Sequence, residues 1–286
     1  MKYGYFDDKR REYVITRPDT PVPWYNYIRN DEWCGLVSNT GGGPSFHRDP
    51  KYRRFLRYRY NNLPADRPGR YVYLRDNDNG DYWSATWAPV QKRLDKFKYE
   101  CRVGLNYTTI TSRYDGIQIE LTYFVAPDDP VELWWLTVTN RSRKRVRDLS
   151  TFSYGEMCVW GALRDLLNMD NGPRCTRVEY RDHAILNHTM NDLGAALGGQ
   201  SWVTIHGYFT ASDPPPATTP TANTSSAPIA ARPIPWWWKP ASPTTTVRTA
   251  DTSSAPSSTA SPSSPAGARS WSISQACTTT PLVSPG

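Results

Sequence analysis

Apolar and polar residues alternate at a period of two in several stretches before Phe209, as expected for β-strands with one buried face. The clearest stretch is Ile117–Tyr123, with the sequence Ile-Gln-Ile-Glu-Leu-Thr-Tyr. We predict a hairpin in which Tyr107–Arg113 pairs with Ile117–Val125 across a short turn that ends in Gly116.

Further strands follow the same pattern. Arg70–Arg75 and Tyr82–Ser84 are predicted to form a second hairpin across an Asp- and Asn-rich turn. Val131–Asn140 and Val146–Tyr154 are predicted to repeat this arrangement around a basic turn, and Arg177–His188 to form another strand pair. Strands at a spacing of about ten residues, with few helical stretches, favour a large all-β antiparallel sandwich.

Two parts of the chain depart from this pattern. Gly155–Leu167 is predicted to form a short helix, or a strand that leads into one, and Asn168–Pro173 ends it. The second part is the tail Ala211–Gly286, which holds 14 of the 25 prolines but only four Lys or Arg and two Asp or Glu residues. Such a Ser-, Thr-, Ala- and Pro-rich tract cannot bury enough apolar surface to offset its ordering entropy, so we predict that it is disordered.

The composition break near residue 210 predicts two regions. Residues 1–205 form an incomplete β-sandwich domain, and residues 210–286 form the low-complexity tail. A shift of reading frame in a GC-rich gene would explain the abrupt change, the loss of acidic residues and the cluster Trp236–Trp238. A genuine disordered linker is the alternative.

Charge and cysteine content argue against several classes of protein. The net charge is +7, but Lys and Arg are interleaved with Asp and Glu, so we expect an ordinary solvated surface and no nucleic-acid partner. The basic run 141–147 is interpreted as a turn and an exposed strand edge. Five dispersed cysteines without a C-x-x-C pair argue against zinc and a disulfide framework. Because the sequence shows neither a membrane span nor a secretory signal, we expect a cytoplasmic protein.

The usual catalytic signatures are missing, and the remaining candidates have ordinary structural explanations. Gly41–Gly43 lacks the Lys and the helix of a phosphate-binding loop, so a flexible turn is the favoured interpretation. The scattered His47, His183, His188 and His206 are interpreted as surface residues rather than metal ligands. A glycoside-cleaving enzyme needs at least one carboxylic acid, but no carboxylate stands out.

Aromatic residues are numerous, and the apolar faces of sugar rings stack on such side chains. Core packing of a large sandwich is the favoured explanation for most of them, and sugar contact is the alternative. The residues concerned are Trp24, Tyr25, Tyr27, Trp33, Tyr58, Tyr60, Tyr71, Tyr73, Tyr82, Trp83, Trp87, Trp134, Trp135 and Trp160.

A collinear set of segments marks the first part of the chain, and the resemblance that they carry extends from residue 1 to about residue 185. In chain order the segments are Met1–Asp7, Arg11–Pro21, Pro23–Tyr27, Ser38–Gly42, Arg57–Asn62, Asp66–Asp76, Tyr82–Ser84, Trp87–Val90, Tyr99–Tyr107 and Phe124–Pro127. Together they resemble the start of the inverting disaccharide phosphorylases of glycoside hydrolase family 94, formerly glycosyltransferase family 36, which include cellobiose and chitobiose phosphorylases. Pro44 stands where the family usually has Tyr.

The resemblance implies a fold and a reaction. The family's N-terminal domain is a galactose-mutarotase-like antiparallel β-supersandwich, followed by a helical linker and an (α/α)6 barrel. The enzyme cleaves a β-linked disaccharide with inorganic phosphate as co-substrate and gives an α-sugar-1-phosphate, without a cofactor. An Asp on the barrel protonates the departing oxygen while phosphate attacks the opposite face, so no general base is needed.

The similarity fades after residue 190, so we expect the barrel, its general acid and its phosphate site to be absent from these residues. No catalytic or metal-binding residue is therefore assigned. The segment 160–174 resembles one that approaches a sugar pocket, which makes Trp160, Asn168 and Arg174 the candidate substrate-adjacent residues. Asp170 and Asn171 replace the family's Gln-Arg pair.

We interpret the chain as a carbohydrate-binding N-terminal fragment of a disaccharide phosphorylase, a glycosyltransferase-type enzyme, and expect the fragment to be inactive alone. Family members are usually homodimers, so a disaccharide and a second subunit are the expected partners. The alternative is a free-standing carbohydrate-binding or dimerisation β-domain without catalysis.

Overall fold

The computed structural model describes residues 2–57, 69–142, 148–158, 162, 165, 176–181, 184–191, 203–211, 245–248 and 268–280. For 190–191, 203–204, 245–248 and 268–280 it describes only the backbone. Nearly all elements in these ranges are β-strands. Ala162 and Asp165 are helical and lie in the segment where a short helix is predicted.

The strands are named in chain order. They are β1 (Gly4–Asp7), β2 (Glu12–Ile15), β3 (Tyr25–Arg29), β4 (Trp33–Ser38), β5 (Ser45–His47), β6 (Arg54–Leu56), β7 (Arg70–Asp76), β8 (Tyr82–Ser84), β9 (Lys98–Gly104), β10 (Tyr107–Tyr114), β11 (Ile117–Val125), β12 (Val131–Asn140), β13 (Asp148–Gly155), β14 (Thr176–Arg181), β15 (Ala184–Asn191), β16 (Val203–Ala211), β17 (Thr245–Arg248) and β18 (Ala268–Thr280).

Three antiparallel sheets are formed. The largest has the strand order β1-β2-β9-β10-β11-β12-β18-β16-β15-β14. Two four-stranded sheets have the orders β17-β13-β7-β8 and β3-β4-β5-β6. Residues of all three sheets meet in a single cluster of buried side chains, so one core lies between the large sheet and the two smaller ones.

The alternation that predicted the strands is also what builds this core. Along β11 the odd-numbered residues Ile117, Ile119 and Leu121 are fully buried, whereas Glu120 between them is exposed. A sheet residue alternates between faces, so one face of β11 packs inward and the other meets solvent. The all-β antiparallel supersandwich predicted from the sequence is therefore confirmed.

The predicted hairpins are present, with one exception. β10 pairs with β11, β7 with β8, and β14 with β15, as predicted. The prediction that the strands on either side of the basic turn would form a hairpin is wrong. β12 belongs to the large sheet, whereas β13 pairs with β7 in a smaller one. The chain crosses from one layer of the sandwich to the other here, a choice that alternation alone does not reveal.

The structure also places two backbone strands in the tail that was predicted to be disordered. β18 lies between β12 and β16 and pairs with both of them. β17 pairs with β13. In β18 the residues from Ser270 to Ser274 alternate serine with Trp and Ile, a strand pattern that the overall Ser and Pro content obscures. The division at residues 205 and 210 stays a prediction.

Candidate functional site

The three substrate-adjacent candidates, Trp160, Asn168 and Arg174, lie outside the described residues. The structure does describe the residues that lead into their segment. β13 ends at Gly155, and the chain continues through a buried Glu156 and a buried Cys158. The contacts that hold these residues in place are the part of the candidate site that the structure describes.

A buried ionic cluster forms the base of the segment. The Arg57 guanidinium donates two hydrogen bonds to Asp165, Nε to Oδ2 at 2.9 Å and Nη2 to Oδ1 at 2.8 Å. Its Nη1 also donates to Glu156 Oε2 at 3.3 Å. Tyr154 Oη donates to the other oxygen of Glu156 at 2.9 Å. The planar, two-point contact between Arg57 and Asp165 fixes both the distance and the orientation of these two side chains.

Backbone hydrogen bonds also connect the residues after β13 to the residues around β6. The amide of Arg57 donates to the carbonyl of Glu156 at 2.8 Å, and the amide of Cys158 donates to the carbonyl of Phe55 at 2.7 Å. The amide of Ala162 donates to the carbonyl of Lys51 at 2.6 Å. The stretch after β13 is thus attached to the end of β6 by both main chain and side chains.

The charges of the cluster are paired with one another. Burial opposes the charge on Arg57, but the neighbouring Cys158 and Asp165 raise the pKa of its guanidinium above the ordinary value. Both carboxylates already accept hydrogen bonds from it. We therefore assign Arg57 and its partners a positioning role, and no nucleophile or general acid is assigned among them.

The Gly41–Gly43 turn is buried and clamped, which corrects its interpretation as a flexible turn. Gly41 and Gly43 adopt positive φ values of 83° and 105°. A Cβ on Gly41 would lie 3.0 Å from the carbonyl oxygen of Arg70, so the backbones approach too closely for a side chain. The Arg70 guanidinium donates to three carbonyls around the turn, those of Leu36, Gly42 and Pro44.

Glu132 completes that clamp at the centre of the core. Arg70 Nε donates to Glu132 Oε1 at 2.5 Å, and both side chains are 0% exposed. The indole N–H groups of Trp33 and Trp134 also donate to Glu132, at 3.2 and 2.8 Å. The carboxylate is saturated by protein donors, and the carbonyls around the turn accept hydrogen bonds from Arg70. The amides of Gly41 and Gly42, which a phosphate would need, already donate to Ser38. This region is therefore a structural ion pair and not a phosphate cradle.

Core packing accounts for many of the aromatic candidates, as predicted. Trp33, Trp83 and Trp134 are among the largest fully buried side chains, and Trp24 and Trp87 pack against the core. Other candidates are exposed on the surface, namely Tyr27, Tyr82 and Trp135. Tyr58, Tyr60 and Trp160 lie outside the described residues.

The histidines differ in part from their interpretation as surface residues. His47 is buried, with 4% exposure, and its Nε2 lies 3.4 Å from Glu32. His188 and His206 are half-buried and face each other across two strands. His183 lies outside the described residues. Within the described ranges, no group of three or more His, Cys, Asp or Glu side chains could hold a metal ion, and no helix is long and apolar enough to cross a membrane.

Sequence reasoning missed the Arg57 cluster because its members are far apart in the chain. Arg57 and Asp165 are separated by 108 residues. The signals in the sequence were an Arg next to a short β-rich stretch and two carboxylates, Glu156 and Asp165, inside the segment predicted to be helical. Neither pattern specifies a partner, since the pairing depends on β13 returning to lie beside β7.

Comparison with known proteins matches this chain to a family. The model of the family described as "Glycosyl hydrolase 94, supersandwich domain" matches residues 11–212. The chain is 48% identical over 156 residues to the N,N'-diacetylchitobiose phosphorylase of Vibrio proteolyticus, covering 54% of this chain and 19% of that protein. It is 35% identical over 170 residues to the solabiose phosphorylase of Paenibacillus borealis, covering 57% of this chain and 21% of that protein.

These figures delimit what the comparison shows. The chain spans about a fifth of the length of the curated relatives it matches. The Vibrio furnissii N,N'-diacetylchitobiose phosphorylase gives a similar result, with 46% identity over 156 residues. The family match extends over well over half of the chain and spans the strands from β2 to β16. The chain belongs to the family of glycosyl hydrolase 94 supersandwich domains.

Proposed function

We propose that this chain is the supersandwich part of a disaccharide phosphorylase that cleaves a β-linked, N-acetylated disaccharide with inorganic phosphate to an α-sugar-1-phosphate. On its own the 286-residue chain is inactive. The observation that carries the proposal is the 48% identity to an N,N'-diacetylchitobiose phosphorylase over 156 residues. The general acid and the phosphate site are supplied by an (α/α)6 barrel, to which none of the described residues belongs.

The role of the sandwich in this reaction is to present the segment 160–174 to the sugar. Arg57, Glu156 and Asp165 support this proposal because they fasten the base of that segment through a buried ionic cluster. Trp160, Asn168 and Arg174 are proposed to contact the disaccharide. The working enzyme is proposed to be a cytoplasmic homodimer.

The experiment compares two proteins in a phosphorolysis assay. One is the purified 286-residue chain. The other is a chimera in which residues 11–212 replace the aligned region of the Vibrio proteolyticus enzyme. Each is incubated with inorganic phosphate and either N,N'-diacetylchitobiose or cellobiose, and the sugar-1-phosphate is measured. Light scattering of the chimera reports its oligomeric state.

The proposal expects product from the chimera, with N,N'-diacetylchitobiose preferred, and none from the chain alone. In the chimera, Arg174→Ala should raise the KM for the disaccharide, whereas Arg177→Ala, at an exposed position of β14, should leave it unchanged. If the chain alone binds the disaccharide while the folded chimera makes no product, the free-standing binding domain is the correct account. Product from the chain alone would place catalysis in the sandwich and overturn the proposal.

A further inference from the structure

Two histidines face each other on the outer strands of the large sheet. His188 of β15 and His206 of β16 are direct partners in the antiparallel register. The neighbours of His206 in β16, Ile205 and Gly207, are buried, and Ile205 belongs to the core. Since side chains alternate along a strand, the His pair occupies the opposite, outer face of the sheet.

The geometry of the pair is close and specific. The two Nδ1 atoms lie 2.6 Å apart, with the rings at 75° to each other and their centroids 4.8 Å apart. The other nitrogen of His188, Nε2, lies 3.3 Å from Oε1 of Glu179 on β14. Glu179, His188 and His206 therefore form a line across three adjacent strands.

Hydrogen-bond chemistry fixes the direction of the lone pairs. An ionised carboxylate only accepts hydrogen bonds, so Nε2 of His188 carries a hydrogen that it donates to Glu179. In neutral His188 the lone pair is then on Nδ1 and points to Nδ1 of His206. A carboxylate that holds one imidazole nitrogen in this way is the usual outer partner of a metal-ligating histidine.

We propose that His188 and His206 bind one divalent late transition-metal ion, such as Ni²⁺, Cu²⁺ or Zn²⁺, through their Nδ1 atoms, with Glu179 orienting His188. Imidazole nitrogens suit these ions, and their affinity rises toward Cu²⁺. On binding, the His206 imidazole changes tautomer, so that its hydrogen is on Nε2 instead of Nδ1. The neutral pair therefore binds the ion without net proton release. The remaining coordination positions are taken by water, which can reach the pair because both rings are half-buried.

Both rings must move to admit the ion. At metal–nitrogen distances of about 2.0–2.1 Å, two nitrogens at 90–109° around one ion lie about 2.9–3.3 Å apart, so the rings separate by less than about 1 Å. Each ring also turns by about 35–45°, so that both Nδ1 lone pairs point to the ion instead of along the line between the two nitrogens. Arg177 and Arg181 pair with Glu179 at 3.1 and 3.7 Å, which directs their charge toward the carboxylate.

The bound ion would act as a clip between β15 and β16. These strands lie on the β14 side of the large sheet, and β14 is its terminal strand. An ion that binds the folded pair but not the unfolded chain raises the melting temperature by mass action. The inference concerns this chain's own residues and does not depend on the proposed phosphorolysis.

The test is a titration of the full 286-residue chain, purified without a polyhistidine tag, with Ni²⁺ and Zn²⁺ at pH 7.5. Calorimetry gives the stoichiometry, and the melting temperature is followed in parallel. Cu²⁺ is added in a separate sample, and its electron paramagnetic resonance spectrum reports the number of coordinated nitrogens. The variants are His188→Asn, His206→Asn and Glu179→Gln, with His183→Gln as the matched control.

We expect one saturable site with two coordinated nitrogens, a higher melting temperature with metal, and loss of binding in both His→Asn variants. Glu179→Gln should weaken binding by about 10–100-fold, the usual effect of removing an outer partner. His183→Gln should bind like the original chain. Lowering the pH to 5.5 should weaken binding because protons compete for the imidazoles.

Two results would overturn the proposal. One is the absence of a saturable site in the original chain. The other is unchanged affinity in His206→Asn together with a two-nitrogen Cu²⁺ spectrum, which would place the ion elsewhere. The first result is read on the unaltered chain and does not depend on any variant. The two His→Asn variants and Glu179→Gln are each checked for a cooperative melt without metal, so that the location of the ion is read only from variants that fold.

Discussion

At the residue scale, the most consequential contact is the buried pair of Arg70 and Glu132. Both side chains are fully buried, and Glu132 also accepts hydrogen bonds from Trp33 and Trp134. Taking two charges out of water is costly, and only the complete network compensates for it. Arg70 thus holds the Gly41–Gly43 turn in position. In the sequence, only the three glycines indicate this turn.

Replacing one partner should expose this cost. Arg70→Met leaves an uncompensated carboxylate in the core, so we expect a loss of about 3–5 kcal/mol in the free energy of unfolding. Urea denaturation followed by tryptophan fluorescence measures it. Arg93→Met is the matched control, because its ion pair with Asp95 is 81% and 54% exposed and should change stability by less than about 0.5 kcal/mol. Equal effects in both variants would contradict the assignment.

Glu12 gives a pH dependence with a definite sign. Burial opposes its charge, but hydrogen bonds from Tyr107 and Arg102 hold its pKa below the ordinary value of 4.5. The stabilisation is therefore present above about pH 4.5 and is lost as pH falls through the lower folded-state pKa. Glu12→Gln should flatten that part of the profile of unfolding free energy against pH, whereas Glu120→Gln on the exposed face of β11 should not.

At the scale of elements, the strands could be predicted and the pairing between layers could not. The alternation in β11 and the turns after β7 and β10 specified two hairpins correctly. The stretch Arg177–His188 specified a third, formed by β14 and β15. The crossing from β12 to β13 and the insertion of β18 depend on contacts between distant parts of the chain. A period of two fixes which face is buried but not which neighbour a strand takes.

The Arg57 cluster is expected to hold the residues after β13 against β6. Arg57→Met removes the donors to Asp165 and Glu156, so the amide of Cys158 should exchange its hydrogen faster by at least about tenfold. Native-state hydrogen exchange measures this locally. Arg57→Lys keeps the charge but loses the two-point contact and should have an intermediate effect. An unchanged Cys158 amide, or an equal change throughout β10, would contradict a local anchoring role.

The position of β18 gives a second prediction for an element. It pairs with both β12 and β16, although it lies beyond the region that matches the family. Ending the chain after residue 242 should leave those two strands without a shared partner. We expect faster amide exchange in β12 and unchanged exchange in β10, which is two strands away. Unaltered protection of β12 would show that β18 does not contribute to this sheet.

At the scale of the whole molecule, the fold and the family agree, and the chain spans about a fifth of the length of the relatives it matches. The sandwich predicted from strand spacing coincides with the region matched at 11–212. The relatives are about five times longer than the matched part. In the described residues, the Arg57 cluster anchors the stretch after β13 to the end of β6. The candidate sugar-contacting residues could be inferred only by resemblance, because no pattern in a single sequence shows which partner a segment approaches.

The most direct test of this account is the rate of α-sugar-1-phosphate formation from N,N'-diacetylchitobiose by the chimera that carries residues 11–212 in the Vibrio proteolyticus enzyme. The account predicts clear phosphorolysis by the chimera and none by the 286-residue chain under the same conditions. A chimera that melts cooperatively and still forms no product, or product formation by the chain alone, would contradict it.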